Sequence, residues 1–166
     1  MGNNLLELTG VSAELQRKRI IDTINLAVPK RSRVSIIGTS GCGKSTLLKL
    51  IAGLLRAPAW QVTGQAAIEG KCFNAGDSAT LLTNCGRQYA FIAQDSLSIF
   101  DPRLKIKEHF LEISRLRDGE KEEFLLQVMS LLRNLLITDP ERVLESYRNE
   151  LSGGTLQRIS IAMAVS

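Results

Sequence analysis

The sequence predicts an α/β domain, and three observations carry that expectation. A short β-branched run at residues 33–37 leads directly into Gly38-Thr39-Ser40-Gly41-Cys42-Gly43-Lys44-Ser45-Thr46, which has the spacing GxxxxGK[ST]. A stretch free of Pro follows, residues 44–52, and stops at Gly53. Near the far end, Leu151-Ser152-Gly153-Gly154 opens a second helix-like segment.

In chain order, residues 5–28 alternate as a pair of strands. Residues 33–37 (Arg33-Val34-Ser35-Ile36-Ile37) read as a buried strand, because β-branched residues favour a pleated surface. Residues 44–52 read as a helix, with Gly53 placed as its C-cap. Residues 65–69 form a returning strand, and residues 71–88, with their Gly and Asn, a loop-rich connection. Residues 96–150 are helix-rich, and the Leu-laden stretch 122–136 has the periodicity of a core face. Leu135-Leu136-Ile137-Thr138-Asp139-Pro140 resembles an apolar strand ending in a carboxylate, but it follows a helical pattern and closes in a turn dipeptide, so it reads as a helix end. Residues 155–165 form an amphipathic helix that Ser152 can cap.

The first motif has a definite chemistry. Gly38, Gly41 and Gly43 let the backbone turn tightly, so that successive N–H groups point inward as an anion nest. The following helix adds the positive end of its dipole. Lys44 would meet the β- and γ-phosphates of a nucleotide, and the Ser45 hydroxyl would hold Mg²⁺. Thr39, Ser40, Cys42 and Thr46 complete the loop. Such a loop needs a strand before it and a helix after it, and the pattern supplies both. Ser152, Gly153 and Gly154 repeat the logic more weakly: a capping hydroxyl and two glycines leave amides open to a phosphate.

Composition narrows the class. The chain has 166 residues, 44% of them hydrophobic, enough for one domain with a core. Its 21 basic and 17 acidic residues give a formal charge of +4, spread along the chain, and Arg17-Lys18-Arg19 reads as a solvated hairpin face rather than a nucleic-acid patch. No apolar stretch approaches transmembrane length, and the start lacks a signal-peptide pattern. Cys42, Cys72 and Cys85 have no paired spacing and point to a reducing compartment.

The two motifs together resemble those of ATP-binding-cassette (ABC) ATPases, and the resemblance covers essentially the whole chain. It implies a P-loop NTPase core with an N-terminal antiparallel β subdomain and a helical subdomain: residues 1–95 as the nucleotide-binding core, 96–150 as the helical subdomain, 151–166 as the signature and its helix. It implies ATP and Mg²⁺ as cofactors. Ser152, Gly153 and Gly154 then contact a nucleotide held by a second ATPase subunit, so the working unit is a dimer. Thr155 stands where the signature usually has Gln. Gln94, after the apolar run Tyr89-Ala90-Phe91-Ile92-Ala93, matches the Q-loop glutamine, whose carbonyl oxygen meets the metal or the attacking water. An alternative reads that run as a Walker B strand with Asp95 as magnesium ligand, but the family places Walker B after the signature helix. Asp95-Ser96-Leu97-Ser98-Ile99-Phe100-Asp101-Pro102 is similar to the oligopeptide, dipeptide and nickel importer branch, and Arg142-Val143-Leu144, Tyr147, Glu150 and Met163-Ala164-Val165 resemble the nickel importer subunit most. That implies membrane permease partners, no nucleic acid, and a peripheral place on the cytoplasmic side of the inner membrane.

The chain also departs from the family. Leu15 stands where an aromatic usually stacks on adenine, which predicts weaker or less base-selective binding. Cys42 lies in the loop beside Lys44, where a thiolate would be favoured, or is simply a small residue at a variable position. His109, the one histidine, is expected at a surface or on a helix face. The Walker B aspartate, catalytic glutamate, D-loop and switch histidine have no match in 1–166. The expectation is a cassette that stops short of Walker B, lacking the C-terminal part of its core and catalytically incomplete. Its alternatives are a non-catalytic remnant or nucleotide-binding regulator, and a soluble non-transport ABC ATPase.

Overall fold

The structure is a computed structural model and describes residues 3–85, 88–115 and 121–166. Contacts divide the chain into two compact units, Met1–Tyr89 and Ala90–Ser166.

The first unit is built on a sheet of order β2-β1-β3-β4, antiparallel throughout. Strands β1 (Asn4–Leu15) and β2 (Lys18–Pro29) form the expected pair. They are joined through Gln16 and Arg17, both left-handed (φ 50° and 66°), the backbone of a two-residue type I′ turn that matches the strand twist. Strand β3 (Trp60–Ile68) starts earlier than the sequence indicates and runs through Gly64, opposite a bulge between Thr9 and Ser12. Residues 71–88 are not loop-rich, as expected from sequence, but carry β4 (Lys71–Asn74) and helix α2 (Ser78–Asn84). Asp77 caps α2 by accepting from Thr80 N at 3.0 Å, a short-range device that composition does not reveal. Helix α1 (Lys44–Ile51) lays Leu47 and Leu50 into a core with Leu8, Val11, Ala13, Ile21 and Ile68.

The expected buried strand at residues 33–37 is not formed. The segment is irregular and mostly exposed, Ile37 being 92% exposed. Its β-branched composition is right for a strand, but a strand exists only on a ladder. No described strand lies beside this segment to accept its hydrogen bonds.

Tyr89 closes the unit. Its hydroxyl lies 2.7 Å from Ile51 O and 3.1 Å from Leu81 O, joining the C-terminal turn of α1 to α2. Burial, with a smaller contribution from Cys85, pushes the phenol up to about 12.

The second unit is helical: α3 (Ile106–Ser114), α4 (Lys121–Asn134), α5 (Pro140–Glu145) and α6 (Gly153–Val165). Ile106, Phe110, Val128, Leu132, Leu156 and Ile159 make its core, so the 122–136 stretch serves as the core face its periodicity indicates, and the signature helix belongs to this unit. Residues 135–139 are the turn after α4, as expected. Lys105 and Lys107 both pair with Glu145, tying the start of α3 to the end of α5 and holding that carboxyl down at about 2. Arg148 donates to Leu97 O at 2.8 Å and Phe100 O at 2.7 Å, pinning the short 3₁₀ turn Ser96–Ile99. His109, expected at a surface or on a helix face, lies on the buried face of α3 edge-on to Phe100, with ring centroids 5.3 Å apart, and its Nε2 has no hydrogen-bond partner among the described residues.

Candidate functional site

The first candidate surface is the loop over residues 38–43 and the start of α1. Gly43 is the N-cap of α1, left-handed at φ 98°, and makes no side-chain cap bond. An ideal Cβ there would lie 3.0 Å from Ile20 O, so a larger residue would press on β2. The first turn of α1 holds no acidic residue. The amides of Lys44, Ser45 and Thr46 therefore stand at the positive end of a helix with no side-chain cap at Gly43 and no acidic residue in the first turn. Lys44 bends back along the loop: its Nζ donates to Gly38 O at 2.8 Å and Thr39 O at 2.6 Å and lies 3.6 Å from Cys42 Sγ. The ammonium thus sits within the arc of the loop, held by two of its carbonyls. Gly38, Thr39, Ser40, Gly41, Cys42 and Ser45 are exposed, while Gly43, Lys44 and Thr46 are partly covered. Open amides, one ammonium and an exposed hydroxyl at Ser45 form a donor set suited to phosphate oxygens, with one oxygen available to a hard cation.

A second, separate candidate surface lies in the other unit. Ser152 caps α6: its Oγ accepts from Thr155 N at 3.2 Å and is 2.9 Å from Thr155 Oγ1. Among the described residues, a Cβ on Gly153 or Gly154 would meet nothing within 4 Å, which leaves this helix end open. A cavity of about 350 Å³ lies beside it, lined in part by Thr138, Arg142, Ser152 and Arg158. Arg158 Nη1 donates to Leu136 O at 2.9 Å, which ties the turn after α4 to the first turns of α6.

The structure brings residues 38–46 together in the first unit and Ser152, Gly153 and Gly154 together in the second. Gln94 is exposed at a bend before the 3₁₀ turn, in the second unit. Asp95 caps that turn, accepting from Leu97 N at 3.1 Å, and no strand precedes it, so the alternative of a Walker B strand at residues 90–93 is not supported. Leu15 is partly buried at the end of β1 and pairs with Trp60 across β3. Sequence reasoning missed Trp60, because it started the returning strand only after Gly64. An alternating Trp60-Gln61-Val62-Thr63 was the available signal. Among the described residues, no cluster of three or more His, Cys, Asp or Glu side chains is placed to hold a metal. No described helix is long and apolar enough to cross a membrane.

Comparison with known proteins agrees with this geometry. A family model described as ABC transporter matches residues 21–166. The oligopeptide transport ATP-binding protein OppD of Lactococcus lactis subsp. cremoris is 30% identical over 98% of this chain and 50% of its own length. The nickel import ATP-binding protein NikE of Shigella boydii is 29% identical over 95% of this chain and 56% of its own. The metal-staphylopine import system ATP-binding protein CntD of Staphylococcus aureus is 30% identical over 89% of this chain and 54% of its own. The chain thus spans about half the length of the curated relatives it matches. Among solved structures, a bacterial ABC transporter cassette determined as a dimer superposes with a TM-score of 0.78 at 26% identity, over 96% of this chain and 68% of the cassette. With its α/β fold, its GxxxxGK[ST] loop on an uncapped helix and its Ser-Gly-Gly helix start, the chain belongs to the ABC transporter family.

Proposed function

We propose that this chain forms the nucleotide-gripping part of the ATP-binding subunit of an importer for peptides, nickel or a metallophore, coupling ATP binding and hydrolysis to uptake. The observation that carries the nucleotide assignment is the uncapped, acid-free N-terminus of α1 with the Lys44 ammonium lying in the arc of the loop. The importer assignment rests on the oligopeptide, nickel and metal-staphylopine systems named for the relatives.

The amides of residues 43–46 and Lys44 take the phosphates, with Gly38, Thr39, Ser40, Gly41 and Cys42 shaping the loop. The Ser45 hydroxyl would offer an oxygen to Mg²⁺, whose charge would offset that of the β- and γ-phosphates, and the family resemblance would make the Gln94 carbonyl oxygen a further ligand. Gln94 orients water through its amide, and Lys44 stabilises charge on the transferred group. Ser152, Gly153 and Gly154 contact the nucleotide of a second ATPase subunit, and the open surface over the α6 N-terminus leaves room for it. Permease subunits would hold the pair at the cytoplasmic face of the membrane.

Isothermal titration of the chain with MgATP tests the reading. The wild type should bind, and Lys44→Ala should weaken binding at least tenfold, with the far-UV spectrum unchanged. Equal affinity in the two proteins, or no binding by the wild type, would refute it.

A further inference from the structure

Trp60 is the chain's one tryptophan, and the strand register sets it directly across from Leu15. We propose that Trp60 contacts the base: its indole supplies the aromatic surface on which the purine of a nucleotide gripped at Gly43 and Lys44 stacks. The proposal rests on the nucleotide reading above and adds a residue to the same site.

The phosphate end of the site is anchored to the sheet. A Cβ on Gly43 would lie 3.0 Å from Ile20 O and 3.8 Å from Ile21 Cγ1, so the loop rests on β2 at these residues. Ile21 pairs with Ala13 on β1, and Ala13 pairs with Val62 on β3. Residues two apart on a strand share a face, so Leu15 and Trp60 form the next rung of this same face toward the hairpin turn. With strands about 4.8 Å apart and about 3.3 Å of rise per residue, the Trp60 backbone stands roughly 12 Å from Ile21. That is within the span of an extended nucleotide plus the reach of an indole.

The opposite direction is closed. Along β1, Val11, Leu8 and Leu6 are 0%, 2% and 8% exposed, sealed into the core. Leu15, Val62 and Trp60 are the members of the row left partly open; Leu15 and Trp60 lie at its end by the hairpin turn, and Trp60 also packs against the core cluster. A ring held by the core stacks on a ligand with little further loss of side-chain freedom. Leu15 alone offers apolar contact without a π-face, and Trp60 supplies that face from the neighbouring strand. The weak base binding expected from Leu15 is therefore offset.

Trp60→Leu, Trp60→Phe and the wild type are titrated with ATP and with tripolyphosphate, which keeps the phosphates and has no base. Trp60→Leu should lose at least about fivefold in ATP affinity, the lower end of measured base–aromatic stacking, and bind tripolyphosphate as the wild type does. Trp60→Phe should recover most of the loss. ATP should shift the emission of Trp60 in the wild type, and Lys44→Ala should abolish the shift at the same ATP concentration. Equal losses for ATP and tripolyphosphate would make Trp60 a structural residue and overturn the proposal. Unchanged ATP affinity in Trp60→Leu would overturn it and leave the nucleotide reading standing. Failure of the wild type to bind either ligand would overturn both.

Discussion

Replacing Gly53 by alanine tests how α1 is joined to α2. Helix α1 ends in a Schellman turn: Gly53 N donates to Leu50 O and Leu54 N to Lys49 O, each at 2.9 Å, with Gly53 left-handed at φ 71°. An added Cβ would fall 2.5 Å from Leu82 N and 2.7 Å from Ser78 O, both backbone atoms of α2 that cannot rotate away. Three contributions set the size of the effect. The left-handed conformation costs an L-residue about 1–2 kcal/mol. Forcing an atom into packed backbone costs about 1–3 kcal/mol. Alanine's lower freedom in the unfolded chain returns about 0.4–1 kcal/mol. The net is a destabilisation of about 3 kcal/mol. Urea unfolding followed by Trp60 fluorescence reports on the same unit, and with a slope of about 2 kcal/mol per M the midpoint should fall by about 1.5 M. A loss below about 1 kcal/mol would refute the view that α1 and α2 meet too closely at Gly53 to admit a side chain.

The same turn ends α4 with a leucine in the glycine position: Leu136 is left-handed at φ 60° and 79% exposed, with Leu136 N bonded to Arg133 O and Ile137 N to Leu132 O. Leu136→Gly should therefore be neutral to stabilising, by about 0.5 kcal/mol, as relief of strain outweighs added chain freedom; a clear loss in helical circular dichroism melts would contradict this. Tyr89→Phe removes the hydroxyl at Ile51 O and Leu81 O and should cost about 1 kcal/mol at neutral pH. Because the folded phenol is raised to about 12, its contribution is present below the unfolded value near 10 and is lost as pH rises from 10 through 12. The gap between wild type and variant should narrow across that window, and a gap that widens would show the sign to be wrong. Ser152→Ala removes the cap of α6 and should cost about 1 kcal/mol, measured by urea titration at 222 nm; an unchanged midpoint would mean solvent serves Thr155 N equally well. Alkylating exposed Cys42, whose sulfur lies 3.6 Å from Lys44 Nζ, should block ATP binding, while Cys42→Ala should bind ATP and resist the reagent. Binding that survives full modification would place Cys42 outside the ligand's path.

Local chemistry was legible wherever the signal sits within a few consecutive residues. The loop at residues 38–46, the α1 helix ending before Gly53, the Ser152 cap and the β1–β2 pair all follow from short-range rules, since glycine spacing, capping hydroxyls and alternation act on neighbours in the chain. Misreadings arose where the deciding partner is distant in sequence. Residues 33–37 have a strand's composition but no ladder beside them among the described residues. Of the two places expected for His109, a surface or a helix face, it takes the second, on the buried face of α3 against Phe100. The four residues of β4 became a strand only by pairing with residues 65–68 of β3.

By itself, then, the sequence determined that this protein carries a GxxxxGK[ST] loop opening a helix and a second glycine-rich helix start, because both are written in contiguous residues and enforced by backbone sterics and dipoles. Tertiary structure alone decided that the loop rests on Ile20 and Ile21, that Trp60 faces Leu15, and that the signature helix packs with the helical unit. Those are matters of register and packing, where residues far apart in the chain must meet, and a strand shifted by one residue would have turned Trp60 to the opposite face.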